Sequence, residues 1–501
     1  MKTLRTIILL LIVIAYKPSL CQTVEVQASN ELKTPKYVIY GGFIGSIDNL
    51  TYYVRQDIYA TPAKPEGGKS IEAYNENLDL KETSNLPIRV DGKLLEPDFP
   101  FIWNDHLYVT GFLYNSKGNI KTLYIAELNP ESLDPVGDPI ELLSFEGYAL
   151  KQYGSFYVSI TNDIMSVVGV PNTGSPIGPA YAKKNSEPAE ISFAVYDKEF
   201  NLMWKNKLVM NTSFKDFRYR SHILDEDGNI YYMGNRENSK KQYVVTSLTN
   251  NGKTVKEYDL GLNGGTIGSM TRTEDNGITT YTGFCYVNGS SYDGVYQLRV
   301  DMKTGEVIHE TISPLELPWL DEISKGISIK ELATYNLIYQ GSAKLSDGSQ
   351  VLFAELYDDK TEANSYEYTY MYKDIAIVHV SENGEILGTL TIPKDQVFRS
   401  TGMGSFSYIV TDYYHIRFFY NDHPYNLSSG SKPNTATRGD CVLVKADIYG
   451  SNIEDIEMVY NPESEDAVVE ASRAFSMDTE TLLFYGVVND KFYKMIKLIF
   501  D

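Results

Sequence analysis

The sequence predicts an all-β chain folded as a single β-propeller of four-stranded antiparallel blades, eight in number, with seven as the alternative if the first blade is incomplete. Three observations predict it. A strand–turn–strand unit recurs along the 501 residues, each copy is preceded by two further strands, and no Pro/Ser-rich or charged linker divides the chain. The clearest copy is Ile375–Lys394. An apolar strand Ile375–Val380, a polar turn Ser381-Glu382-Asn383-Gly384 and a second strand Glu385–Ile392 make a hairpin by alternation and turn chemistry. Other copies occupy Ile71–Leu86, Leu123–Leu143, Ile191–Met210, Tyr243–Leu262, Val295–Leu315 and Cys441–Tyr460. An eighth begins at Tyr493, and the sequence stops before its second strand. The turns open at Asn75, Asn129, Asp197, Thr249, Asp301, Ser381 and Asp447, at spacings of roughly 50 to 80 residues. That period, all in strands, is the mark of propeller blades.

With the recurring hairpin as strands C and D, the preceding pair supplies A and B. Tyr37–Ile44 and Leu50–Ile58 fill these places in blade one and match Asn336–Lys344 and Gln350–Asp358 of blade six. Strands flank Asp225-Glu226-Asp227-Gly228 in blade four and Asp347-Gly348 in blade six; His106–Leu113 follows Asn104-Asp105, and Thr481–Val488 follows Asp478-Thr479-Glu480. The last blade lacks a strand D. Thr23–Ala28 alternates and is placed to supply it, which would close the ring and hide both sheet edges. A small residue recurs six positions before several A–B turns, at Gly42, Ser221, Gly268, Gly341 and Ser472. Strand A is innermost, so close backbone packing is expected there ahead of a ligand-lined channel.

Composition bounds the function. A hydrophobic content of 43% is enough for a sizeable core. Forty tyrosines against three tryptophans fit strands, and the amphipathic ring is expected at half-buried positions. The net charge of −21, from 45 basic and 66 acidic residues, opposes nucleic-acid binding and charge-driven docking on anionic lipid. Lys2 and Arg5, the apolar run Ile7–Ala15 and the small residues Ser19 and Cys21 read as a secretory signal peptide over residues 1–21, leaving 22–501 as the propeller. The apolar run is short for a membrane span, so no transmembrane segment is expected after signal removal. Pro18-Ser19-Leu20 matches a lipidation box at Cys21 poorly. Cys285 and Cys441 lie in strands of different repeats and read as buried thiols rather than a disulfide framework.

The irregular segments gather on one rim. Ala60–Lys69, Pro171–Pro188, Asp358–Tyr372 and Pro424–Arg438 fall between strands B and C, and Ser313–Gly326 between a strand D and the next strand A. In an antiparallel blade these connections emerge on the same face, while the short A–B and C–D turns emerge on the other. Long loops on a rigid scaffold are the usual place for binding. This rim carries Tyr181, Trp319, Tyr366, Tyr368, Tyr370, Tyr372 and Tyr425, which are the candidate binding residues. In the run from Asn364 to Tyr372 the tyrosines alternate, so they would line one side of an extended hairpin. Such a platform suits sugars or peptides; packing on the hairpin's own blade is the plainer account.

Motifs for chemistry are sparse. No histidine pair has helical metal spacing, and neither Cys-x-x-Cys, a nucleophile elbow nor a phosphate-binding glycine loop occurs. No catalytic and no metal-binding residue is therefore assigned. His415 and His423, with Asp412 and Asp422, are the nearest approach to a metal set. Asp225-Glu226-Asp227-Gly228-Asn229 has part of a calcium loop without its spacing or terminal Glu, and a turn accounts for it better. Calcium is the one cofactor left open, and no other is expected. Arg438-Gly439-Asp440 spells an adhesion tripeptide, which three residues do not establish.

The run HLYVTGFLYN followed by TLYIAELNPE resembles secreted bacterial β-propeller repeats of the form YVTG…AFVAKLNPDG, and the signal ending Cys-Gln-Thr resembles those of Bacteroidota. The resemblance covers the blade pattern of most of the chain. It implies a secreted propeller and carries over no active-site residue. The expected function is non-catalytic: an exported propeller, periplasmic, outer-membrane-associated or extracellular, binding a protein or glycan partner of the cell envelope through the B–C and D–A rim. The alternative is a propeller enzyme acting on a polysaccharide, a hydrolase or lyase, recognisable by paired carboxylates in an open pocket.

Overall fold

The computed structural model describes residues 24–33, 38–57, 69–115, 120–146, 155–170, 188–213, 217–236, 242–260, 266–267, 271–275, 277–286, 294–302, 304–315, 336–361, 368–398, 405–412, 414–422, 440–460, 468–469, 471, 474–489 and 492–500. Its regular elements are strands. They form eight sheets of four or more strands and one two-stranded ribbon, Arg89–Val90 with Lys93–Leu94. The eight sheets follow one another along the chain as antiparallel blades, so the count is eight and not seven. Blade one runs Val38–Ile47, Leu50–Asp57, Lys69–Asn75 and Leu80–Ser84. Blade six runs Asn336–Lys344, Gln350–Thr361, Tyr368–Val380 and Ile386–Ile392. In blades five and eight strand A is broken, into Thr266–Ile267 and Thr271–Asp275, and into Val468–Val469 and Phe475–Ser476.

The ring closes as the sequence leads one to expect. Val24–Ala28 pairs antiparallel with Phe492–Phe500, from Val24 opposite Phe500 to Ala28 opposite Ile496. The N-terminal strand thus serves as strand D of blade eight. The proposed signal residues 1–21 lie outside the described residues.

Eight apolar clusters hold the blades together, one in each seam between consecutive blades. The cluster of Tyr53, Tyr74, Tyr485, Tyr493 and Met495 joins blade eight back to blade one. The B strands show how sequence produces this arrangement. Successive residues of a strand point to opposite faces, and a B strand has a neighbouring blade on both. Tyr52 therefore packs toward blade two and Tyr53 toward blade eight. Tyr231 and Tyr232 divide between blades five and three, and Phe418 and Phe419 between blades six and eight. Strands buried on both faces need continuous rather than alternating apolar runs. This corrects the expectation that tyrosine would sit half-buried: Tyr52, Tyr53, Tyr74, Tyr232, Tyr281, Tyr296, Tyr420, Tyr485 and Tyr493 are wholly buried.

The A–B and C–D face is built from short, internally bonded turns. Asp225 Oδ1 accepts from the backbone N–H of Asp227 (3.0 Å) and Asn229 (2.8 Å). Asn75, Asp197 and Ser381 repeat the pattern at the C–D turns of blades one, three and six. The side chain of the turn's first residue thus replaces a ladder partner. Gly384 closes the blade-six turn at φ 78°, and a Cβ there would lie 2.2 Å from Thr311 Cγ2, so only glycine fits. Neighbouring blades are bonded through these turns. Trp103 Nε1 donates to Asn162 O (2.7 Å), Trp204 Nε1 to Gly228 O (2.9 Å), and Tyr52 OH to Pro130 O (3.1 Å). The small residues of strand A mark close approach: a Cβ on Gly42 would stand 2.9 Å from the Phe475 ring of blade eight, at a bulge where φ is 141°.

Candidate binding rim

Of the seven candidate rim residues, Tyr181, Trp319, Tyr366 and Tyr425 lie outside the described residues, as do the B–C connections 58–68, 171–187 and 423–439. Tyr368, Tyr370 and Tyr372 belong to strand C of blade six. Much of the segment Asp358–Tyr372, read as an insertion between strands, is itself strand: strand B runs on to Thr361, and strand C begins at Tyr368. The register pairs Tyr357 with Tyr372, Asp359 with Tyr370 and Thr361 with Tyr368. A short strand, Gln396–Phe398, adds on the other side, opposite Tyr370 to Tyr372. This part of strand C is therefore bonded on both edges. Tyr370 and Tyr372 share one face by the period of two. Tyr372, nearest the blade, is buried at 6% exposure with its ring 5.2 Å from that of Tyr357. Tyr370, one step outward, is half-buried.

A buried charged cluster lies at the root of this hairpin. Lys394 and Glu355 are both wholly buried and form an ion pair. Lys394 Nζ also donates to Gln396 Oε1 (3.0 Å), while Ser405 Oγ (2.7 Å) and Gln340 Nε2 (2.8 Å) donate to Glu355 Oε2. Glu355 thus has a cation and two neutral donors. A charge pair out of water is tolerated only with such additional hydrogen bonds. The Lys394 backbone N–H donates to Asp374 Oδ1 (3.0 Å), and Lys373 Nζ lies 2.5 Å from Asp395 Oδ1. Burial raises the Asp374 carboxyl to about 7, against the opposing pull of the Lys394 N–H and of the Lys394 and Lys373 ammonium groups. Burial pushes the Lys394 ammonium down, and Glu355 works against it. Gln396 Nε2 donates to Asn421 O of blade seven, and the Lys394 ammonium stands 5.5 Å from the centre of the Tyr372 ring. The cluster fixes the hairpin root to the neighbouring blade.

Sequence reading missed these residues. The available signal was Glu355 inside the apolar run VLFAELY, because an unpaired carboxylate is seldom wholly buried. Its partner, 39 residues later, follows a short apolar strand and reads as an ordinary exposed lysine.

The described members of the other flagged groups have the following partners. His415 Nδ1 lies 2.7 Å from Asp412 Oδ2, and its Nε2 lies 3.1 Å from Glu454 Oε2. His423 is outside the described residues. Both Asp225 carboxylate oxygens accept bonds within the turn and from Tyr231. Cys285 is a buried thiol of the seam between blades four and five. Asp440 opens strand C of blade seven, Asp440–Asp447.

No protein-family model and no curated protein matches the chain. Solved structures similar to it include an ulvan lyase of a new polysaccharide lyase family, 14% identical over 95% of this chain and 94% of that one, with a TM-score of 0.37. The polysaccharide lyase Uly1 is 9% identical over 95% and 99%, with a TM-score of 0.41. The WD40 domain of SCAP from fission yeast is 10% identical over 96% and 98%, with a TM-score of 0.38. The class of this chain is that of the β-propeller proteins, which its own eight sheets and seams define.

Proposed function

We propose that this chain is an exported, non-catalytic β-propeller that binds a protein or glycan partner of the cell envelope through the rim carrying the B–C and D–A loops. The observation that carries the reading is the blade-six hairpin. Its strands continue beyond the blade, a third strand stiffens it, and buried charges tie down its root. An ordered extension costs little entropy on binding, and Tyr370 on it is half-buried. Tyr368 and Tyr370 are the anchors on this hairpin. Tyr181, Trp319, Tyr366 and Tyr425 belong to the same rim by their place in the sequence, and Tyr372 supports from below. Cleavage before Gln22 would leave the closing strand Val24–Ala28 at the start of the mature chain.

The enzymatic alternative, a polysaccharide hydrolase or lyase, calls for two carboxylates facing open space. Glu355 and Asp374 instead face Lys394.

Affinity capture from native envelopes compares the wild type with a Tyr368→Ala/Tyr370→Ala variant. The partner is expected on the wild type and lost from the variant, with the melting temperature unchanged. A partner retained by both would move the site elsewhere, and depolymerisation of an envelope polysaccharide by the purified chain would favour the enzyme.

A further inference from the structure

We propose that the face of the short turns, above the seam between blades six and seven, docks an arginine side chain of a basic protein segment. Tyr414 and Tyr449 form the platform. Tyr414 lies between strands A and B of blade seven, Phe406–Val410 and His415–Asp422, and Tyr449 between strands C and D, Asp440–Asp447 and Asn452–Tyr460. They are 54% and 44% exposed, the two exposed tyrosines among the described residues. The rim is on the opposite face, so occupation of this platform is independent of the rim's role.

The platform is held from beneath. Tyr449 reaches across the seam, and its OH donates to Asp347 Oδ2 in the A–B turn of blade six. Ser349 Oγ donates to Asp347 Oδ1 (2.6 Å), and His379 Nε2 lies 2.9 Å from Ser349 Oγ. The serine proton goes to the carboxylate, so the imidazole N–H is the donor in the second bond. Ser349 and His379 are both buried. The His379 ring abuts that of Tyr449, with centroids 4.7 Å apart, and the Tyr414 ring stands 5.3 Å from Tyr449 at 77°. The Ile448 N–H donates to Tyr414 O (2.8 Å), which ties the two turns of blade seven together. Both exposed rings are thus fixed before a partner arrives, and a fixed side chain has little rotamer freedom to lose on binding.

The charges around the rings choose the guest. Asp347, Asp412, Asp447 and Glu454 belong to these turns and their flanks. His415 lies between Asp412 (2.7 Å) and Glu454 (3.1 Å), and Lys445 is 3.2 Å from Glu454. Asp347 and Asp447 accept from neutral donors, Ser349, Tyr449, Gly450 and Asn452, and enter no ion pair among the described residues. An aromatic face attracts a cation through its quadrupole, and Asp347, at the hydroxyl of Tyr449, places a carboxylate beside the ring. A guanidinium stacks on such a face and presents a planar fork of N–H groups to a carboxylate, which an ammonium does not. A neutral sugar would stack on the rings and leave the charge unused.

Fluorescence anisotropy of the full chain with labelled peptides tests the assignment. One peptide alternates glycine and arginine, and two others replace arginine by lysine or by citrulline. The arginine peptide is expected to bind, the lysine peptide more weakly, and the citrulline peptide, which keeps the shape without the charge, at least about tenfold more weakly. Tyr414→Ala/Tyr449→Ala removes both rings and no charge, so attraction to the acidic surface at large is unchanged. It should weaken the arginine peptide about tenfold. Tyr414→Ala alone keeps the Tyr449–Asp347 bond and should weaken it about threefold, with the melting temperature as the check on folding. The assignment is overturned if the arginine peptide does not bind, if the lysine or citrulline peptide binds as tightly, or if the variants bind the arginine peptide as the wild type does.

Discussion

At the scale of the residue, the root of the blade-six hairpin has a measurable pH signature. The Asp374 carboxyl lies at about 7 in the folded chain against an ordinary 3.8. Between these values the folded state holds a proton that the unfolded chain has released. The contribution of this group to stability is therefore complete below about pH 4 and is lost as pH rises through 7. Asp374→Asn keeps an acceptor for the Lys394 N–H and removes the titration. The variant should gain on the wild type by up to about 4 kcal/mol between pH 4 and pH 8 in denaturant unfolding. A difference independent of pH would show that the carboxyl is not held protonated. His222 works in the other direction. It is buried, its Nε2 lies 3.0 Å from Ser166 Oγ, and burial pushes it down to about 3. Its contribution is present above pH 6.5 and is lost as pH falls toward 3. The Asp374 comparison must therefore be made between chains that share His222.

At the scale of the element, the closing strand is where the ring is tied shut. Val24–Ala28 alone covers the outer edge of Phe492–Phe500 over that span, and Val24 packs on the cluster of Leu498 and Phe500. Removing residues 24–28 should cost roughly 3–5 kcal/mol, from one partly buried valine and a short ladder, and leave an open edge that pairs with other chains. Thermal unfolding and size-exclusion chromatography would register both effects. An unchanged melting temperature in a monomer would mean that the ring does not depend on this strand. The strand was legible in the sequence because it alternates and because the last repeat lacks a partner for it. The turns were legible for a local reason too: Asp225, Asp197 and Asn75 bond to their own backbone and announce themselves by composition. Less of the candidate rim could be read. The tyrosine alternation from Asn364 to Tyr372 announces an extended hairpin, and strand C of blade six does begin at Tyr368, but the alternation does not announce the second edge that Gln396–Phe398 supplies. That edge, like the Lys394–Glu355 pair, joins distant stretches, and no local pattern records it.

At the scale of the whole molecule, the two faces differ in construction. One is tiled by short turns bonded to their neighbours through Trp103, Trp204 and Tyr52. The other carries the B–C and D–A connections and the stiffened hairpin. The seams between blades carry the stability, and both faces of each B strand are committed to them. Variation in the rim is thus separated from the core, which is the arrangement a binding scaffold needs. The most direct test places a photo-cross-linking amino acid at position 370, and in a second chain at Lys253 in the blade-four turn on the opposite face, and irradiates each in native envelopes. The account predicts a discrete adduct from position 370 and none from position 253. An adduct from 253 with none from 370 would contradict it.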